Sequence, residues 1–168
     1  MGRIITYGLA FIMYLLFQVL FFNHIILFKI ATPHVFVLFV IFLPLDMSRI
    51  LEFFVAFFAG LSLDLLSDGS VIGLYAFTLL LVVGLRHRVF QITSSGGYRG
   101  VGEANFRNQS FLGMALYILP LIFLHHLVYY FLEVFSFTHF FYTLVKILLS
   151  TVYTFLISFA IAVIFYKN

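Results

Sequence analysis

The chain has 168 residues, of which 64% are apolar and 9% are charged, with nine Lys or Arg against six Asp or Glu. A soluble domain carries about a quarter of its residues as charges, so this composition excludes a soluble enzyme, a disordered tail, a collagen and a nucleic-acid-binding module. The apolar runs are continuous rather than alternating, which predicts an all-α integral membrane protein and not a barrel. The chain has no cysteine, which excludes disulfides and thiol chemistry.

The first apolar run, over residues 4–22, predicts a retained membrane span. It is longer than the apolar region of a secretory signal, which has about 7–15 residues, and no small-residue cleavage site follows it. We therefore interpret it as the first span of the protein.

The second span is expected to be short, over residues 33–45. Thr32 can cap a helix that starts at Pro33, and Pro44 would end it. Further apolar runs predict four longer spans, at residues 50–66, 70–85, 111–134 and 138–166. Residues 1–168 thus form a single transmembrane domain with six spans.

The basic residues predict the orientation of these spans. With the N-terminus inside, seven Lys or Arg face the cytoplasm and two face outward, in agreement with the positive-inside rule. Both termini are then cytoplasmic. The loop over residues 86–108 has a Ser/Gly-rich centre and four arginines. It either retains topology and contacts anionic lipid, or it docks a cytoplasmic protein.

Polar residues at one depth of the membrane are candidates for function, because an ionisable group there costs about 2.5–3.5 kcal/mol. At 1.5 Å per residue, four spans place such residues in the outer third of the membrane, namely Gln18, Asp64, His125, His126 and Lys146. We interpret Gln18 as a hydrogen bond between helices and Lys146 as reaching the outer interface.

The two adjacent histidines are expected to pack, with their ring N–H groups bonded to a neighbouring helix. His126, Tyr130 and Glu133 share one helix face, but one His with one carboxylate is a weak metal signal. The sequence therefore predicts neither a metal nor a cofactor.

The third span carries a stripe of small and polar residues. Glu52, Ala56, Gly60 and Asp64 follow one another at steps of four, and Ala56 with Gly60 allows another backbone to approach closely. We expect this stripe to be a contact surface with a partner protein or, in part, a surface that packs against other helices of the same chain. Asp64 should face protein and pair with Lys146 or a histidine, without a catalytic role.

Residues 60–67, Gly-Leu-Ser-Leu-Asp-Leu-Leu-Ser, followed by Gly-Leu-Tyr-Ala at 73–76, resemble the rod-shape-determining membrane protein family MreD. The resemblance includes Pro33 at the start of span two and Gln18 late in span one. The chain departs from the family pattern at His34, where the family tends to have Asp or Asn, and in its longer, glycine-rich loop.

The resemblance implies a non-enzymatic scaffold of the bacterial cell-wall elongation machinery, in the inner membrane. Its implied partners are an MreC-like bitopic protein, an MreB-like filament, a RodA-type glycosyltransferase and a penicillin-binding transpeptidase, besides membrane lipid and without nucleic acid. The implied fold is similar to the substrate-binding subunits of energy-coupling-factor transporters. Structural or interface positions carried over from the family are Gln18, Pro33, Gly60, Asp64 and Gly73.

Two other functions remain open. One is a subunit of a membrane transporter that binds a small, vitamin-like molecule. Against it, span one has large residues where such subunits present an Ala-x-x-x-Ala stripe. The other is an intramembrane enzyme, for which the sequence offers no convincing set of catalytic residues.

Overall fold

The computed structural model describes residues 2–67, 71–93, 109–135 and 139–167, and these form helices and no strand. Within residues 2–4 and 166–167 only the backbone is described. The helices are α1 (Gly2–Leu20), α2 (Val37–Ile41), α3 (Arg49–Leu66), α4 (Leu74–Thr93), α5 (Phe111–Val134) and α6 (Phe140–Ala162). A 3₁₀ turn, Phe22–His24, follows α1, and a π-helical turn, Val163–Lys167, extends α6.

Four segments among these helices are long and apolar enough to cross a membrane. They are Ile5–His24, Leu74–Thr93, Phe111–Val134 and Phe140–Phe165. The protein is therefore an all-α membrane protein, as predicted. Helix α3, the predicted third span, is not one of these four segments. It has 18 residues and carries a buried glutamate, Glu52, and a buried aspartate, Asp64.

The prediction of a membrane helix over residues 33–45 is wrong. Only Val37–Ile41 are helical, and α2 begins after Phe36 without a side-chain cap, so Thr32 and Pro33 do not start it. At 1.5 Å per residue α2 is about 8 Å long. We call residues 31–45 the central segment, because its residues 35–43 are at most 5% exposed, with the other helices around them.

The remaining helices pack around the central segment in chain order. Helix α3 lies beside α4, α4 beside α5, and α5 beside α6, while α1 packs across α3 and α2. The outward side of α1 is apolar and exposed, as at Leu9 and Met13. The end of α1, the end of α3 and the start of α4 lie at the same end of the bundle, where Leu20, Leu66 and Tyr75 line one cavity. We call this the cavity end.

The small-residue stripe of α3 is buried within the chain itself. Ala56 is fully buried, Ala59 is 1% exposed, and a Cβ on Gly60 would lie 2.4 Å from the Cα atom of Ala76 in α4. The close approach predicted from Ala56 and Gly60 therefore occurs between two helices of one chain. At these residues the stripe serves packing within the chain, which is the second of the two alternatives.

Helix α4 is longer than predicted and changes the assignment of Arg86. The expected span ended at residue 85, but α4 continues to Thr93, so Arg86 is helical and fully buried rather than part of a loop. The Ser/Gly-rich centre of the predicted loop, with Arg99 and Arg107, lies outside the described residues.

Candidate functional site: a polar cavity beside a broken segment

Side chains from other helices satisfy the backbone of the central segment. Non-helical backbone at membrane depth is tolerated only where protein or water provides its hydrogen bonds. The buried Gln18 provides two of them: its Nε2 donates to the carbonyl of Pro33 at 2.9 Å, and its Oε1 accepts from the amide of Phe36 at 3.0 Å. Gln18 is a buried hydrogen-bonding residue, but these two partners lie in the non-helical start of the central segment and not, as predicted, in another helix.

Helix α6 contributes two hydroxyl groups to the same segment. Ser150 Oγ accepts from the amide of Thr32 at 3.2 Å, and Thr154 Oγ1 accepts from the amide of His34 at 3.0 Å. Together with Gln18 they hold the non-helical start of the segment in place. No sequence pattern distinguishes these two hydroxyls from the other Ser and Thr residues of α6.

Arg86 satisfies the other end of the central segment. Its guanidinium donates to carbonyl oxygens at distances of 2.6–3.5 Å, namely those of Val40, Ile41, Leu43 and Pro44. The same group pairs with Glu52 at 2.7 Å, and both side chains are fully buried. Tyr117 donates its hydroxyl to the carbonyl of Ile41 at 2.8 Å. A buried ion pair is stable only with such additional hydrogen bonds.

Sequence reasoning missed this role of Arg86, although a signal existed. Val89, Phe90 and Ile92 are apolar residues at helical spacing beyond Arg86, and a glutamate within a predicted span needs a buried cation. Glu52 also lies 2.8 Å from His87 Nε2. The polar groups at this end thus form one connected ion-pair network.

Asp64 lies at the cavity end and caps α4. Its Oδ1 accepts from the amide of Tyr75 at 2.9 Å and its Oδ2 from the amide of Ala76 at 3.1 Å. A helix start leaves amides without partners and favours a negative charge. Asp64 is 3% exposed, which confirms that it faces protein. These two donors are backbone amides of α4, whereas the sequence led us to expect a side chain such as Lys146 or a histidine.

Gly73 and Gly60 make this cap possible. Gly73 directly precedes α4 and has a φ of +95°, a conformation that other residues adopt at a cost. Gly60 lies one turn before Asp64 and allows α3 to come close enough for the carboxylate to reach the start of α4. The three residues of the motif therefore act as one structural unit.

Lys146 pairs with a carboxylate of the neighbouring helix. Its Nζ lies 2.8 Å from Glu133 Oε2 and 4.2 Å from the centre of the Tyr130 ring. The side chains of Lys146 and Glu133 are 22% and 36% exposed, so the pair sits at the border of the bundle.

Three histidines meet beside the start of the central segment. His34 Nδ1 lies 3.1 Å from His125 Nε2, and His34 Nε2 lies 3.3 Å from the hydroxyl of Tyr75. His126 Nε2 lies 2.9 Å from Thr154 Oγ1 on α6, which confirms the predicted bond to a neighbouring helix. All three rings are at most 3% exposed.

A cavity of about 520 Å³ opens next to this cluster. His34, Tyr75 and Tyr129 line its inner part, and the Lys146–Glu133 pair lines another part of its wall. Ligand pockets have volumes of about 300–1,000 Å³ and combine aromatic walls with a few polar groups. Three residues of the predicted polar cluster therefore lie at or near the cavity. Lys146 is part of the cavity wall, whereas His125 and His126 contact the lining residue His34.

Comparison with known proteins adds no relative. No family model, no curated protein and no solved structure matches the chain.

Proposed function

We propose that the protein is a non-enzymatic, multi-pass scaffold of the bacterial cell-wall elongation machinery, as its resemblance to the MreD family implies. It would sit in the inner membrane with both termini in the cytoplasm. An MreC-like bitopic protein would be its direct partner, and through it the chain would act with an MreB-like filament and the wall synthases.

The observation that carries this proposal is the joint action of the motif residues. Gly60, Asp64 and Gly73 build the start of α4 against α3, and Gln18 fixes the chain at Pro33. These residues are separated in the sequence, but each of them helps to hold α3, α4 or the central segment in place. This supports a fold shared with the family, on which the proposed function rests.

The use of Asp64 also favours a scaffold over an enzyme. A catalytic carboxylate must reach a substrate, whereas both oxygens of Asp64 accept backbone amides of α4. The acidic residue of the MreD-like motif, Asp64, thus has a structural role. The activity that we propose is association with other membrane proteins.

Co-purification tests the proposal. The tagged chain is extracted from its native membranes in mild detergent, and the bound proteins are identified by mass spectrometry. We expect a single-span protein with a large extracytoplasmic part, together with a wall synthase. The Gly84→Ala variant is the control, because the one atom of the described residues that its new methyl group meets is Phe53 Cζ, at 3.8 Å. Recovery of an ATPase module in place of the single-span protein would refute the scaffold.

The second candidate is a subunit that binds a small molecule, and the cavity is the observation that favours it. Its volume suits a vitamin-sized ligand, and the Lys146–Glu133 pair and three tyrosines offer polar and aromatic contacts. Native mass spectrometry of the gently purified protein tests this function. A retained metabolite that is lost in a Tyr129→Ala variant would support it, and an empty cavity in both proteins would contradict it.

A further inference from the structure

Neither proposed function uses the three buried histidines. One ring nitrogen from each of His34, His125 and His126 can be chosen such that all three lie within 4.8 Å of one another. The residues come from the central segment and from two consecutive positions of α5, and the side chains are buried. We propose that this cluster binds a divalent transition-metal cation, with Zn²⁺ as the reference ion.

The hydrogen bonds of the cluster leave room for a ligand. Two ring nitrogens, His125 Nδ1 and His126 Nδ1, are buried and have no hydrogen-bond partner among the residues that the structure describes. Buried polar atoms of this kind are rare, and each costs about 1–3 kcal/mol when unsatisfied. An unsatisfied Nδ1 can hold the ring proton while Nε2 offers its lone pair to a metal, or it can itself be the ligand atom.

The spacing of the nitrogens is close to that of a metal site. Zn–N bonds are about 2.0–2.1 Å long, so the ligand atoms of a tetrahedral site are about 3.3 Å apart. His34 Nδ1 and His125 Nε2 already lie 3.1 Å apart, and the proton between them moves to the other nitrogen of its ring when both bind a metal. A third nitrogen within 4.8 Å needs a shift of at most about 1.5 Å to reach the spacing of a tetrahedral site.

The fourth coordination position would face the cavity. His34 is the histidine of the cluster that lines it, so water or an anionic ligand can reach a metal held there. Three neutral imidazoles leave the charge of a divalent ion uncompensated, and burial of a charge is costly. Glu133 in the cavity wall is already paired with Lys146, so an anion in the open position would supply the compensating charge.

The donor set selects the class of ion. Imidazole nitrogens suit zinc, copper, iron and nickel, whereas magnesium and calcium require oxygen ligands. A site of three histidines with one open position is typical of metals that also bind a further ligand. The proposal does not depend on the scaffold function, since it rests on the three histidines alone.

Metal titration of the purified protein tests the proposal. The full chain is prepared in detergent without a polyhistidine tag and stripped with a chelator, and Zn²⁺ binding is measured by calorimetry. We expect one equivalent of Zn²⁺ and a higher Tm, because a ligand that binds only the native state stabilises it. A His34→Gln/His125→Gln/His126→Gln variant should lose binding by at least 100-fold. A His139→Gln variant is the matched control, since that histidine is exposed and outside the cluster.

Cobalt provides a readout that needs no variant. Co²⁺ bound to three imidazoles with four or five ligands gives intense visible absorption bands, whereas octahedral Co²⁺ is nearly colourless. Such bands in the unsubstituted protein, displaced by one equivalent of Zn²⁺, would support the proposal. Failure of the unsubstituted protein to bind one equivalent of Zn²⁺, a colourless cobalt complex, or full binding by the folded triple variant would overturn it.

Discussion

Substitution of Gly60 by alanine tests the packing of α3 against α4. The added methyl group would lie 2.4 Å from the Cα of Ala76, 2.5 Å from its amide nitrogen and 2.7 Å from the carbonyl carbon of Tyr75. All three atoms belong to the backbone, so no side chain can rotate away. The two helices must separate by about 1 Å before the contact reaches an ordinary van der Waals distance.

This separation also weakens the cap provided by Asp64. Its hydrogen bonds to the amides of Tyr75 and Ala76 are 2.9 and 3.1 Å long, and about 1 Å more would break them. Overpacking of a core costs about 1–3 kcal/mol, and hydrogen bonds to a charged group contribute about 1.5–3 kcal/mol each. Partial relaxation lowers the total, so we expect Gly60→Ala to reduce the free energy of unfolding by about 2–5 kcal/mol.

The measurement is denaturant-induced unfolding in detergent micelles, followed by far-ultraviolet circular dichroism. Gly84→Ala in α4 and Gly8→Ala in α1 are the controls: among the described residues, the new methyl group meets one atom at 3.8 Å at Gly84 and nothing within 4 Å at Gly8. In these helices alanine should be up to about 1 kcal/mol more stable than glycine. If Gly60→Ala is as stable as Gly84→Ala, the close approach of α3 and α4 is incorrect.

Three further substitutions test the polar contacts in the same unfolding measurement. Asp64→Asn keeps one oxygen acceptor but turns an NH₂ group toward the second amide, and should cost about 1–3 kcal/mol; an unchanged stability would contradict the cap. Arg86→Met leaves Glu52 without its buried cation and should cost about 3–5 kcal/mol, part of which a second change, Glu52→Gln, should restore; additive losses would argue against the pair. Gly73→Ala must keep a positive φ and should cost about 1–2 kcal/mol, whereas no loss would show that α4 starts differently.

The long helices could be predicted from the sequence because local signals define them. Helix α5 has the predicted bounds, and α3 begins one residue early. Ser110 and Ser48 cap these helices by accepting the amides of Gly113 and Leu51, respectively. Capping serines before continuous apolar runs are properties of neighbouring residues, which a sequence displays directly.

The central segment could not be predicted, because distant side chains determine it. An apolar stretch of this length can be a membrane helix or a buried irregular segment, and its composition is the same in both. The choice depends on hydrogen bonds from Gln18 and Arg86, which lie 15 and more than 40 residues away from their acceptors Pro33 and Leu43. The cluster of His34 with His125 joins residues 91 positions apart, and no local pattern could bring them together.

Depletion of the protein from the cells that carry it tests the proposed scaffold most directly. Cell width and the incorporation of labelled wall precursors are followed by microscopy while the chain is depleted and replaced by the unsubstituted protein or by Gly84→Ala. We expect depleted cells to lose their rod shape and to disperse wall synthesis, and we expect both proteins to restore shape and synthesis. Cells that keep their width and their pattern of wall synthesis without the protein would contradict the proposed scaffold.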